Sequence, residues 1–469
     1  MTTLIPKFQQ TGTGAVNRAF NLKLTETISV KDFGAVGDGT TDDTTAIQAT
    51  INAVNALTMN GAVYLPTGTY KISTSLNVPY GVSIYGDGGT ASILQCEDCD
   101  GLTFTTFGYE IGSMFYEDFG LTANSGTNRV GIVSLNSPTS TTQDGLYFNR
   151  LRFYSWNQCL ILSSTSNTTI FNCVAQNINN FASLGQSNGQ SIGIRIINNR
   201  IVYAAGGLGT NNKYAIDIAG TSGFNESIHI LQNQIYGFEI NINIDEATFV
   251  NIVGNDLSGS VKVIAFVTPN GGYNICNNYI EVTSTGTGIY GSAQGVETPT
   301  TKTNIEQNYF IGATGTALIG IQLNDGINTY QWNATIRDNT FTGFVTADIR
   351  LYACGKTLVD GNRCMSTTPT NSIFVGQVIG LPVILTNNYF NKALYADVPA
   401  DIIAGTLILQ NNVESNSFQS THQAAAPIAG TWRVGDIVYN NAPATAGYIG
   451  WVCTIAGTPG TWKSFGLIA

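Results

Sequence analysis

One short unit recurs through the middle of this chain: an apolar residue, two variable residues, an asparagine, one variable residue and another apolar residue. It reads Ile196 to Asn199 to Ile201, Ile230 to Asn233 to Ile235, Ile252 to Asn255 to Leu257, Ile275 to Asn278 to Ile280, Ile305 to Asn308 to Phe310 and Ile336 to Asn339 to Phe341. Looser copies put the asparagine at Asn149, Asn172, Asn362, Asn388 and Asn412. The interval never falls below 22 residues and reaches 34 between Asn199 and Asn233. A constant floor with optional insertions fits coils of about three short strands, each stacked on the last, with loops at the insertions. The expectation is a parallel β-helix in which alternate residues enter the core, as in Ser-Ile-His-Ile-Leu at 227–231. The repeated asparagine is expected to take the left-handed conformation between strands and to hydrogen-bond its amide from coil to coil.

Composition agrees with strands and turns and excludes other classes. Charged residues make up 11% of the 469, with 52 glycines and 47 asparagines, which argues against disorder and a long coiled coil. The net charge of −10 and the lack of a Lys/Arg cluster argue against a nucleic-acid partner. No apolar run approaches the roughly 18 residues that span a bilayer, so membrane insertion is not expected, nor is a secretory signal. The eight cysteines are too sparse for a disulfide scaffold and are read as reduced, and the lone Cys96-x-x-Cys99 has no partner set for a zinc site, so no metal or cofactor is expected.

An open stack needs a lid. Asp42 and Asp43 are helix N-caps by type, and Ile47, Ile51 and Val54 share one helical face, predicting a capping helix to about Ala56 before a first strand at Gly61–Tyr70. The stretch Val30-Lys31-Asp32-Phe33-Gly34-Ala35-Val36-Gly37-Asp38-Gly39-Thr40-Thr41-Asp42-Asp43-Thr44-Thr45-Ala46-Ile47-Gln48 resembles the opening motif of the pectate-lyase-like β-helix superfamily. With Leu4-Ile5-Pro6-Lys7 and Gly14-Ala15-Val16-Asn17-Arg18 before it, the chain is similar to bacteriophage tailspikes, closely over about its first 70 residues. That resemblance implies a right-handed parallel β-helix, a homotrimer, and degradation of bacterial capsule or O-antigen polysaccharide. It also implies a virion tail protein, made in the host cytoplasm, that meets another tail or baseplate protein through its N-terminus.

The expected organisation is all-β: an attachment segment at 1–30, the opening motif and capping helix at 31–60, the β-helix at 61–415, and a small β module at 416–469. The last carries Gly-Thr-Trp at 430–432 and 460–462, and is read as trimer-stabilising, glycan-binding, or simply a small core of tryptophans.

Sugar hydrolysis needs two carboxylates, about 5 to 5.5 Å apart for retention or about 6.5 to 9.5 Å for inversion. Adjacent coils bring equivalent outward residues about 4.8 Å apart, so acids in register form such pairs. The candidates are Asp217 and Glu239, each outward beside isoleucines, and Asp245 with Glu246; Asp217 and Glu239 are expected to stack, with Lys262 as the next rung. Substrate contacts are expected from Arg195, Lys213, Tyr214, Lys262, Tyr290 and Trp332, with Tyr203 and Tyr330 on the same inserted loops and Asp325 and Asp348 as second-rank acids. A lyase would instead use a base such as Arg195, Lys213, Tyr214 or His229, and a spike that only binds its receptor would need neither.

Overall fold

The structure is a computed structural model describing residues 6–469 except 58–60, 105–113, 125–128, 135–142, 164, 186–190, 204–213, 220–224, 269–271, 284, 293–301, 314–317, 325–331, 353, 355, 370, 377–381, 392–394, 397–406 and 415–419. The chain winds as a right-handed parallel β-helix. Each coil lays down a first-face strand, turns at the asparagine, and continues across a second and a third face. In one coil these are Arg195–Ile197, Arg200–Val202 and Tyr214–Ile218. Among the described residues the first face has fourteen such strands, from Gly61–Leu65 to Leu407–Gln410. In the two coils above, the second and third faces run on as single strands, Gln234–Asp245 and Asp256–Thr268.

Alternation fills the interior. Ile196, Ile230, Ile252, Ile275, Ile305, Ile336, Val359 and Leu385 follow one another rung by rung. All eight are fully buried. Each such side chain stabilises by about 1.5–3 kcal/mol through burial, so the core of one column grows with every added coil. At the N-terminal end the stack is closed by the helix Thr44–Asn55, whose Ile47, Ile51 and Val54 are buried. Asp43 is the N-cap residue by position, but its side chain caps no helical amide; it accepts from Val36 N at 2.7 Å and Gly37 N at 3.0 Å, tying the preceding loop down. Gly37 has φ +73° and a Cβ there would lie 2.9 Å from the Tyr70 ring, so this turn requires glycine.

The asparagines form a ladder. From Asn199 through 233, 255, 278, 308, 339, 362 and 388 to Asn412, each Nδ2 donates to the Oδ1 of the next coil's asparagine at 2.9–3.0 Å. The same Nδ2 also donates to a first-face carbonyl, as Asn278 does to Ile252 O at 2.8 Å. Two expectations need correction. The left-handed residue is the one before the ladder asparagine: Asn198, Gln232, Gly254, Asn277, Gln307, Asp338, Gly361, Asn387 and Asn411, with φ from 52° to 68°. The ladder residue itself points inward, where its amide is shielded from water. Asn149 and Asn172 are not rungs. Asn172 holds the left-handed position (φ 54°) and Cys173 stands on the ladder line, donating its backbone N to Asn199 Oδ1 at 2.8 Å. Asn149 lies one residue earlier still, before the left-handed Arg150.

At the C-terminus, Ser420–Gln423, Ile437–Asn440, Tyr448–Ile455 and Thr461–Leu467 form a separate four-stranded sheet. Trp432, Val438 and Cys453 are its buried centre, with Trp451 and Trp462 packed against them. The indoles of Trp432 and Trp462 meet edge to face at 5.0 Å and donate to Ala429 O and Pro459 O. These tryptophans build the module's own core. All eight cysteines are free thiols.

Asn278→Ala removes two donated and two accepted bonds and strands Asn255 and Asn308 beside it. With a buried unpaired group costing about 1–3 kcal/mol, the expected loss is about 3 kcal/mol or more. Gln307→Gly, at a left-handed position, is expected to change stability by less than about 1 kcal/mol. Urea unfolding of the two variants beside the parent checks both, and equal midpoints for Asn278→Ala and the parent would remove the ladder from the account.

Candidate functional site

The third face of the middle coils carries four of the candidates, Asp217, Tyr214, Lys262 and Tyr290. Asp217 faces outward between the buried Ile216 and Ile218. Its rung neighbours are Ser183 below and Asn243 above, not Glu239. Asn243 Nδ2 donates to Asp217 Oδ1 at 2.9 Å. The same line continues through Ala265, Tyr290, Gln322 and Arg350. Glu239 lies four residues before Asn243, in a stretch where two register irregularities bend the strand from the second face into the third. The expected Asp217–Glu239 stack therefore does not form. Lys262 likewise pairs with Ile240, one residue past Glu239.

The two acids are nonetheless brought to one group. Tyr214 pairs with Ile240, so it stands beside Glu239 and three residues before Asp217. Burial raises the Tyr214 phenol above its ordinary pKa, and the charges of Asp217 and Glu239 raise it further. Two coils above Tyr214, Lys262 lays its ammonium 3.7 Å from the centre of the Tyr290 ring. Burial pushes this lysine below its ordinary value.

Other candidates are placed elsewhere. Asp245 and Glu246 sit at the turn from the third face to the next first face; Glu246 has φ +50°, and one oxygen of Asp245 is buried without a hydrogen bond. Arg195 is exposed on the first face, directly beneath His229, whose ring contacts Asn251 at 3.4 Å; burial and the Arg195 charge both lower the His229 pKa. Neither shares a face with Asp217. Trp332 is not available to a ligand: it is 2% exposed, packs edge-on to Phe266, and donates its indole N–H to Ser292 O. The space comes from Gly291, where a Cβ would lie 2.3 Å from the indole. Tyr203 packs on the core against Phe238. Lys213, Asp325 and Tyr330 lie outside the described residues. Among the described residues, no three His, Cys, Asp or Glu side chains come together as a metal-binding group, and no helix is long and apolar enough to cross a membrane.

Reasoning from sequence missed Asn243, and it missed a second acidic cluster on the second face. There Tyr236 donates its hydroxyl to Asp256, with Glu281 close enough that burial and both acids push the Tyr236 phenol up to about 12. The signal was available. In coils without an insertion the third-face outward residue falls ten positions after the ladder asparagine, as Asn243 after Asn233 and Ala265 after Asn255.

With this geometry in hand, residues 27–130 match the family model described as rhamnogalacturonase A/epimerase, pectate lyase-like. The chain is 36% identical over 108 residues to mannuronan C5-epimerase AlgE2 of Azotobacter vinelandii, covering 20% of this chain and 11% of that protein. It is 37% identical over 83 residues to the tail spike protein of Shigella phage Sf6, covering 17% of this chain and 13% of that one. The AlgE6 A-module of Azotobacter vinelandii superposes over 83% of this chain and 99% of its own, with TM-score 0.53 and 17% identity. Residues 27–130 are thus similar to pectate-lyase-like proteins, and the stack as a whole has the parallel β-helix fold. The chain spans only about an eighth of the length of those two curated relatives. The likeness in structure runs along the stack and concerns the fold alone.

Asp348 of this β-helix is buried, not groove-lining. Burial pushes its carboxyl up to about 7; Ser366 and Ser372 lie near enough to offset part of that push, yet neither carboxylate oxygen is in hydrogen-bonding geometry. A folded pKa above the unfolded value near 3.9 means the folded state holds the proton more tightly. This contribution is therefore complete at low pH and lost as pH rises through about 7. Asp348→Asn is expected to be more stable than the parent at pH 8, by on the order of 2 kcal/mol, and no more stable at pH 4. Thermal unfolding at the two pH values checks this; a variant less stable at both reverses the sign.

Proposed function

We propose that this chain is a bacteriophage tailspike that binds bacterial surface polysaccharide, capsule or O-antigen, and cleaves it within the chain by glycoside hydrolysis. The observation that carries the chemistry is the placing of Asp217, three residues along the strand from Tyr214, and Glu239, next to Tyr214's rung partner Ile240, on one outer stretch of a rigid stack. Asp217, held as an acceptor by the Asn243 amide, suits the carboxylate that activates water or attacks the sugar. Glu239, exposed at the corner of the faces, is the second carboxylate that such a reaction uses. Tyr214 lies where a sugar hydroxyl can be held between them, and Tyr290 with Lys262 extends the same face for further sugar residues. The similarity of an 83-residue stretch to a phage tail spike supports the biological setting.

Elimination or epimerisation on the same face is the second reading. It is favoured by Lys262, a half-buried amine with lowered pKa that is suited to abstract a proton beside a uronate carboxylate, and by the match to a mannuronan epimerase.

In this reading residues 1–30 attach the spike to another tail protein, 31–60 close the stack, 61–415 bear the glycan, and 416–469 hold a homotrimer together. Support for the last comes from Ile428, Ile455 and Leu467, which the small sheet leaves 92%, 61% and 70% exposed.

Mass spectrometry of host polysaccharide after incubation is expected to show fragments heavier than whole repeat units by one water. Asp217→Asn and Glu239→Gln are each expected to slow their release by about 10²-fold or more. Unsaturated fragments, lost with Lys262→Met instead, would move the chemistry to elimination; intact glycan would make the spike an adhesin. Light scattering is expected to give a trimer that dissociates when residues 420–469 are removed, and a monomeric full chain would refute that role for the module.

A further inference from the structure

The second face of the earlier coils carries a groove of its own. Gly89 and Arg152 line two adjoining hollows, one of about 410 Å3 reaching to Gln176 and one of about 120 Å3 reaching to Tyr154. The groove exists because of small residues. A Cβ on Gly89 would lie 2.9 Å from the Arg152 Cβ, and one on Gly120, directly beneath Arg152, would lie 2.4 Å from Gly89 O. With both side chains absent, Arg152 lines both hollows, and Tyr154, 43% exposed, lines the smaller one.

The charges here are unusual for the molecule. Arg150, next along the chain, is held by Asp118 and Glu117. Arg152 is half-buried and has no ion-pair partner among the described residues. Two rungs above it in the same outward line, past Val174, stands Arg200, exposed and also without a carboxylate partner there. The chain as a whole carries −10, so two unneutralised guanidinium groups on one line are a local exception. Their rung separation is about 9.6 Å at roughly 4.8 Å per coil. That matches carboxylates on alternate pyranose residues of an extended glycan. A planar guanidinium fork suits bidentate carboxylate binding, and an exposed tyrosine ring suits the apolar face of a sugar. Beyond Arg200 the line turns acidic at Asp256, which would end an anionic run.

We propose that this groove is a second glycan-binding site, separate from the face bearing Asp217, and that it takes a uronate-containing segment by pairing sugar carboxylates with Arg152 and Arg200 beside Tyr154. The site holds the polymer without cleaving it and lets a spike stay on an acidic glycan between cuts. It goes beyond the cleavage reading, and the two fail separately: host glycan can stay uncut while uronate binds, and uronate binding can be absent while cutting proceeds.

Calorimetric titration of the full chain with hexagalacturonate, and with maltohexaose as the uncharged comparison, tests it. The expected result is binding of the uronate alone, weakening as salt rises. Arg152→Ala and Arg200→Ala are each expected to lose about tenfold or more in affinity, and Arg152→Lys less than Arg152→Ala. Arg200 is exposed, so its variant keeps the test open if Arg152→Ala does not fold. Equal binding of the two hexasaccharides, no binding of the uronate, or full uronate affinity in a folded Arg200→Ala would overturn the proposal.

Discussion

The structure depends on satisfying polar groups inside a turn that recurs on every coil. A two-residue bend would leave backbone N–H and C=O groups inside the stack without water, at a cost of about 1–3 kcal/mol for each one left unpaired. The asparagine amide removes that cost by donating to the coil above and to the first-face strand of the coil below, while accepting from its predecessor. Once the corner is fixed in this way, strand register on all three faces is fixed with it. Everything placed on the outer surface then sits at multiples of the coil spacing.

This is why the fold was legible from sequence and the site only partly so. The ladder asparagine and the isoleucines around it are one residue type at one spacing, so periodicity alone reveals the coil, and Ile47, Ile51 and Val54 reveal its lid. The first error was of a single residue. Asparagine suits both the left-handed position and the inward one, and pairs such as Asn198-Asn199 and Asn277-Asn278 hide which does what. Once the pattern weakened at Asn172-Cys173, the phase could not be kept.

The site was harder because the coil of Asp217 carries a long segment between its second-face strand Arg200–Val202 and its third-face strand Tyr214–Ile218. Asp217 stands 18 residues after its ladder asparagine and Asn243 only ten after its own, so Asp217 cannot be aligned by counting without the loop's position. Glu239 then fell in the bent segment between faces. Trp332 illustrates a different limit. An aromatic residue beside a long loop reads as a ligand contact, but the void opposite Gly291 admits it to the core, and nothing in the local sequence of Trp332 announces a glycine 41 positions away. Arg195 and Lys262 are neighbours by region and strangers by face, which a linear chain cannot express without its register.

Every amide-to-amide bond in the ladder points the same way: from Asn199 to Asn388 each asparagine donates to the next one toward the C-terminus, ending at Asn412. The column therefore has a head and a tail, and each coil within it offers its neighbours the same plug and socket. A coil can be gained or lost by duplication or deletion of one unit without rewriting those beside it. The length of outer face presented to a long polymer is thus set by counting whole units, so such a spike changes its reach in discrete steps while its corners stay the same.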